Sequence, residues 1–401
     1  MMRVVSGEWV LEGRGGGAIA DGAVALEGDR IVAVGPRAEV EARHGRSERR
    51  DGVLLPALVN AHLHLELSHL AGEVPGGRGL PAWLEGFVRT RAACRDRDPG
   101  PAMREAARAL VRAGVAAVGD VSNGLGSLAP LGEAGVAGTV FHEVFGVVPK
   151  RFEAARRAAR AADRAATIPS GLAVRLSPHA VYSTSHLHVV ELLEGGPGSL
   201  HLAEDPAERA FVAEGQGGFA ALVERMGRRA EDVAPRARSA VALVARALRP
   251  HHLAVHCVDL DDEDVAALRA SGATVVLCPR SNAYIGCGTP RLDALLAAGI
   301  PLALGTDSLA SSPSLAPLEE AAALRRVFPA IPARRIVPLI WNGPAVGAPH
   351  VGALVPGRAP GVLAAPSGGA RVEDPFELLV ALGAEGRPLE WLAPQRPEVV
   401  S

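Results

Sequence analysis

The chain has 401 residues, 48% of them hydrophobic and 21% charged, enough for a large buried core, which excludes a disordered segment or a short disulfide-built scaffold. Its 42 basic and 44 acidic residues leave a net charge of -2 with no long run of one sign, and aromatics make up 3%, so neither a phosphate-binding stripe nor a base-stacking platform is expected and nucleic acid is not an expected partner. No apolar stretch approaches the ~20 residues that span a bilayer, no secretory leader is read at the start, and Cys94, Cys257, Cys278 and Cys287 form no CxxC pair, so a cytoplasmic protein with reduced thiols and no membrane partner is expected.

In chain order, residues 1–52 carry VVSGEWVLEG and GAVALEGDRIVAVG, a glycine-rich strand-and-turn texture that predicts β hairpins. Eight apolar runs of strand length follow, at 52–62, 114–121, 138–148, 171–179, 198–204, 252–257, 273–279 and 300–307. Between them lie AMREAARALVRAG, EAARRAARAADRAA and PLEEAAALRRVF, helix formers with amphipathic spacing. Parallel strands buried on both faces read as continuous apolar runs, so the alternation predicts an α/β fold, a (β/α)8 barrel over 53–349, with an open doubly wound sheet as the rival. Residues 350–401, with GALVPGRAPGVLAAP, return to the texture of the start. Neither end is large enough to bury a core alone, so 1–52 and 350–401 are expected to meet as one small β-sandwich domain.

Reactive groups of such a barrel lie at the C-terminal ends of its strands. The first run ends in His62-Leu63-His64, two imidazoles on one side of a strand; the fifth brings His201 and, three residues on, Glu204; the sixth brings His256 and the eighth Asp307. With 13 histidines in the whole chain, this placement points to one site. Imidazole and carboxylate suit zinc or iron(II), which lower the pKa of a bound water from ~15.7 to ~7. Competing motifs fail on context. His64-Leu65-Glu66 matches the HxE of cytidine-type zinc deaminases, but Cys278 and Cys287 are nine apart and make no PCxxC. His142-Glu143 begins an HExxH that no second histidine completes. The glycine clusters at 13–17 and 215–218 lack the strand and acidic residue of a dinucleotide loop and read as turns, and no GxSxG occurs.

With these residues in place, the chain resembles the amidohydrolase superfamily over nearly its whole length. PALVNAHLHLELS is similar to that superfamily's first-strand motif, HLAE to the fifth, HC to the sixth, CPRSN to the seventh and LGTDS to the eighth. The likeness is closest to one-metal deaminases and chlorohydrolases, and within them WLEGF, SPHAVYSTS and the glycine-rich insert after HLAE look most similar to the aminodeoxyfutalosine deaminase branch. The resemblance implies that His62, His64, His201 and Asp307 hold one divalent ion, zinc or iron(II), that Glu204 shuttles protons, that His256 sits by the reactive water and that Asp307 doubles as base. Two-metal members bridge their ions with a carboxylated lysine, commonly on the fourth strand, where this chain has Arg175; Lys150, its only lysine, reads as a helix start. One metal is therefore expected.

Substrate-facing candidates are His179, Ser281, Asn282, Glu66 and Trp83, against a capping histidine, an Asx-type turn and a core tryptophan as the plainer readings. Adenosyl-type deaminases resembling this chain often carry a ribose-binding glutamate two residues before that tryptophan, where Pro81 stands here; nucleoside recognition is then absent or transferred to Glu66 or Glu85. The tail also has GRAPGVLAAP where the family usually reads GKxADLVV. The expected function is metal-dependent hydrolysis of a C–N bond, foremost deamination of a purine-like or other aminated heterocycle. Chlorohydrolase or cyclic amidohydrolase chemistry is the alternative, and a barrel that only binds is the third reading. The expected partner is a small-molecule substrate, with a homodimer as the candidate assembly.

Overall fold

The computed structural model describes residues 2–395; residues 396–401, assigned above to the second part of the small domain, lie outside the described residues. Eight parallel strands form the barrel: β1 (Leu58–Leu63), β2 (Val115–Ser122), β3 (Ala137–Val144), β4 (Leu172–Pro178), β5 (Gly198–Leu202), β6 (His252–His256), β7 (Thr274–Leu277) and β8 (Leu302–Leu304). They pair in two four-stranded sheets, β1 to β4 and β5 to β8, in sequence order. Parallel bridges at Leu63–Asp307 and Ala180–His201 close the cylinder. Every residue of β1, β2 and β3 is buried, as strands covered by barrel interior on one face and helices on the other must be. β4 departs from this: Leu172–Leu176 are partly open, and Arg175 is exposed.

Side chains complete both seams where the strand ladder is thin. Between β4 and β5, Ser199 N donates to Ser177 Oγ at 2.7 Å and His201 N to the His179 carbonyl at 2.9 Å. Between β1 and β8, Asn60 Nδ2 donates to Thr306 Oγ1 at 2.7 Å, Thr306 N to Asn60 Oδ1 at 3.2 Å, and the amides of Thr306 and Asp307 to the His62 carbonyl at 2.9 and 3.1 Å. Gly305 permits this approach, because a Cβ there would stand 2.7 Å from His62 Cβ and 2.8 Å from its carbonyl oxygen. Gly305→Ala is accordingly expected to destabilise the protein by about 1–3 kcal/mol through overpacking against His62, which a denaturant melt reads directly.

The chain ends build two further sheets. Arg30–Pro36, Gly22–Glu27, Met2–Ser6 and Glu48–Arg49 lie side by side in that order. A second sheet runs Glu390–Gln395, Pro360–Ala365, Val53–Pro56, Trp9–Leu11, Ala18–Ala20, joining the N-terminal and C-terminal pieces. Two boundaries differ from expectation. The first apolar run is two strands, and Val53–Pro56, assigned above to the barrel, pairs with Pro360–Ala365 in the outer sheet; both halves are wholly buried, so their apolar pattern does not distinguish them. The tail also holds a helix, Pro375–Ala384, N-capped by Asp374. It packs on barrel helix Pro317–Val327, with Gly383 against the Leu318 backbone. Among the described residues no helix is long and apolar enough to cross a membrane.

Candidate active site

The mouth of the barrel gathers groups that are far apart in the chain. His62 and His64 come from the end of β1, His201 from β5, His256 from β6 and Asp307 from the turn after β8. His64 Nε2 lies 3.2 Å from His201 Nε2 and 3.5 Å from Asp307 Oδ1, while His62 Nε2 lies 3.8 Å from the same oxygen. The His62 ring centroid is 4.9 Å from those of both His64 and His201. The backbone is bent to bring these groups in: Ala203, His256, Cys257 and Asp307 adopt φ of +50°, +75°, +49° and +58°. Non-glycine residues enter this left-handed region at a cost and cluster where function demands it.

The donor set fits a cation. His62 is fully buried, yet neither ring nitrogen has a hydrogen-bond partner among the described residues, an arrangement that costs free energy unless something takes up the lone pair. Burial pushes the imidazoles of His64 and His256 down to about 3 and lowers that of His201 well below its ordinary value, so these rings are neutral, as ligands must be. Burial would raise the Asp307 carboxyl, but the surrounding imidazoles of His62, His64 and His256 overcome it and hold it well below the usual range. Three imidazoles and one carboxylate are a common donor set for a catalytic divalent ion.

Supporting groups fix the orientation of each. Asp307 Oδ2 accepts from Ser281 Oγ at 2.6 Å and Ser311 Oγ at 2.8 Å, which leaves Oδ1 toward the imidazoles. His201 Nδ1 meets the His179 carbonyl at 3.1 Å, so its Nε2 is free to face inward. Asn282 Nδ2 lies 3.1 Å from His256 Nδ1; with the amide donating, the proton of the neutral ring sits on Nε2, 3.6 Å from Glu204 Oε2. Glu204 is buried, and its amide donates to Glu208 Oε2 at 3.0 Å. Burial first, then the carboxylates of Asp307 and Glu208, raise its pKa well above the usual range. The helix that follows, Pro206–Glu214, starts on Asp205, whose side chain caps Ala207 N at 2.8 Å and also accepts from Leu80 N at 3.0 Å, and it ends at Gly215 in the left-handed conformation. The turn that carries Glu204 is thus anchored to the start of helix Leu80–Ala93.

A cavity of about 1180 Å³ opens above this cluster, with His64, His201, His256, Glu204 and Asp307 on its floor and His179 and Trp83 in its walls. His179 Nδ1 lies 2.5 Å from Ser183 Oγ, and Trp83 stacks on Phe87 with centroids 5.3 Å apart. Three expected substrate contacts lie elsewhere. Ser281 and Asn282 are fully buried, absent from the cavity lining, and spent on Asp307 and His256. Glu66 is likewise off the lining: its carboxylate accepts from Ser122 Oγ and from the amides of Asn123, Gly124 and Gly126 at 2.5–3.3 Å, an anion nest made by the loop after β2. Missing from the sequence reading are Asn123 and Glu143, which do line the cavity. The sequence singles out Glu143 only within a failed zinc motif; side-chain alternation inside the third apolar run is the signal that sends it to the face opposite His142.

A closed parallel barrel with an imidazole and carboxylate cluster at the C-terminal mouth, set under a deep cavity, defines the class of metal-dependent hydrolases. Residues 53–333 match the amidohydrolase family, and the chain belongs to that family. Residues 22–45 match a bacterial imidazolonepropionase-like composite domain. The chain is 33% identical over 347 residues to the aminodeoxyfutalosine deaminase of Deinococcus radiodurans, covering 80% of each protein. Its fold is similar to that of Helicobacter pylori aminofutalosine deaminase in complex with methylthio-coformycin, with a TM-score of 0.82 at 20% identity over 97% of both chains. It is also similar to a variant of the atrazine chlorohydrolase from Arthrobacter aurescens complexed with zinc and atraton, with a TM-score of 0.77 at 17% identity over 99% of this chain and 96% of that one.

Proposed function

We propose that the protein hydrolytically deaminates a purine-like or related aminated heterocycle, with an aminodeoxyfutalosine-like compound as the leading candidate. The observation that carries this reading is Glu204 facing His256 at 3.6 Å on the floor of the cavity beside Asp307, in a chain 33% identical to a deaminase. One zinc ion is assigned to His62, His64, His201 and Asp307. The exposed Arg175 on β4 supports a single ion, since it cannot supply a bridging carboxylated lysine. Four free cysteines support a cytoplasmic setting.

When bound, the ion supplies Lewis acidity that makes water nucleophilic near neutral pH. Asp307 Oδ1 takes the proton of the attacking water, with His256 Nε2–H orienting that water. Glu204, whose pKa burial raises, delivers its proton to the ring nitrogen next to the carbon under attack and then takes back the proton of the added hydroxyl, while Asp307 passes the water proton to the amine, which leaves as ammonia. The apolar walls, with Phe145, Tyr182 and Phe219 among them, exclude bulk water and sharpen these electrostatic effects.

The test is ammonia release by zinc-loaded protein from aminodeoxyfutalosine, S-adenosylhomocysteine, adenosine, guanine, cytosine and aminotriazines. Turnover of at least one of them, with a carbonyl replacing the amine in the product, is the expected result. No ammonia from any of them sinks the proposal, and release of chloride or opening of a cyclic amide by matched substrates assigns the barrel to those hydrolases instead.

A further inference from the structure

Glu143 is a buried carboxylate of the cavity for which the proposed chemistry has no use. It lies one residue before the end of β3 and directly after His142, whose ring turns outward to Asp163 of helix Pro149–Ala165 at 2.6 Å; alternation along the strand sends Glu143 into the barrel mouth. Glu143 is 7% exposed and lines the cavity. Its Oε2 accepts from Asn123 Nδ2 at 2.9 Å. Its Oε1 has no hydrogen-bond donor among the described residues: the nearest ring nitrogen, His201 Nδ1, is 3.8 Å away and already meets the His179 carbonyl. This carboxylate oxygen opens onto the cavity, where a ligand can bring the donor that the protein does not supply.

The arrangement is held in advance. Glu66 grips the amides of Asn123, Gly124 and Gly126, and Arg91 reaches Asn123 Oδ1 at 3.3 Å, so the amide group that orients Glu143 is itself fixed. Glu143 also stands on the side of the His201 ring away from the ion site, since Nε2 of that ring faces His64 and Nδ1 faces Glu143. A group that touches Glu143 therefore belongs to the part of the substrate that does not react. The two carboxylates that the sequence offered in place of the glutamate missing at Pro81 are both engaged: Glu66 in its nest and Glu85 with Arg225 at 2.6 Å.

We propose that Glu143 Oε1 accepts a hydrogen bond from a sugar hydroxyl of the substrate, so that the site selects ribosides over free heterocycles and over deoxy analogues. A cation shared by Glu143, His179 and His201, whose ligand atoms lie within 4.8 Å of one another, is disfavoured because His201 Nδ1 carries its proton toward the His179 carbonyl and has no lone pair to give.

This inference rests on the deaminase reading, and its test separates the two. Zinc-loaded wild type, Glu143→Gln and Glu143→Ala are compared on adenosine, 2′-deoxyadenosine, 3′-deoxyadenosine and adenine, with zinc content and Tm measured on each preparation. Wild type is expected to prefer adenosine over at least one deoxy analogue by at least about 10-fold in kcat/KM, the value of a hydrogen bond to a charged group. In Glu143→Ala that preference falls to near unity, mainly through KM, with unchanged zinc content and Tm; Glu143→Gln, which keeps an acceptor oxygen, retains part of it. Turnover of hydroxylated and deoxy substrates with equal kcat/KM by wild type overturns the role of Glu143 while leaving the deaminase reading intact. A second zinc equivalent lost in Glu143→Ala overturns it as well. If all four compounds are inert but aminodeoxyfutalosine is turned over, the same comparison is made between it and its deoxyribose analogues, and an equal kcat/KM again overturns the assignment. Absence of ammonia from every compound overturns the deaminase reading itself.

Discussion

Glu204→Gln is expected to lower kcat by about 10²- to 10⁴-fold, the usual contribution of a positioned general acid and base, while zinc content and Tm stay at wild-type values. The side chain is buried between His256 Nε2 at 3.6 Å and the Cys287 thiol at 3.9 Å, and its backbone is anchored by Glu208 and by the strained turn at Ala203. Glutamine fills the same volume and keeps this packing, but it cannot give up and regain a proton. The pH profile gives a second reading. Burial and the neighbouring Asp307 and Glu208 carboxylates raise the Glu204 pKa, so its acid form persists to higher pH than that of an ordinary carboxyl and is lost as pH rises through the raised value. The alkaline fall in kcat that this produces in the wild type is expected to vanish in the variant. A Gln variant with wild-type kcat removes Glu204 from the chemistry.

His62→Ala is expected to reduce bound zinc from one ion per chain to none detectable, with activity lost in parallel; mass spectrometry of the metal content checks it. Loss of a partner that merely orients a ligand costs about 10–100-fold in metal affinity, and His62 is proposed as a ligand itself. Stability separates this from general damage. In the metal-free protein the His62 ring is fully buried with both nitrogens unpartnered, so deleting it removes an unsatisfied polar group as well as packing. These terms oppose each other, and the metal-free variant is expected within about 1 kcal/mol of the metal-free parent. The zinc-loaded parent alone gains the stabilisation that binding confers. A variant that still binds zinc stoichiometrically, or whose metal-free form is unfolded, contradicts the assignment.

The supports around the ion site explain which parts of it were readable in advance. His62, His64, His201, His256 and Asp307 stand where strands end, and a parallel strand covered on both faces announces itself as an apolar run, so its end can be counted off without coordinates. Ser281 and Asn282 follow another strand end in the same way, yet whether their side chains face a ligand or a neighbouring residue depends on how far β7 and β8 are staggered. The structure turns them to His256 and Asp307.

Local pattern pointed to a barrel over an open sheet and to a meeting of the two chain ends, and together with the family resemblance it singled out the groups at strand ends, because hydrophobic periodicity and residue chemistry are properties of short segments. Packing decided the rest. Val53–Pro56 and Leu58–Leu63 are equally apolar, and only long-range pairing sends one to the outer sheet and the other to the barrel. Glu66 and Glu143 are both carboxylates near strand ends, and only the three-dimensional path of the loop after β2 surrounds one with amides and leaves an oxygen of the other facing the cavity. Hydrogen-bond satisfaction is a relation between distant residues, and no single stretch of chain contains it.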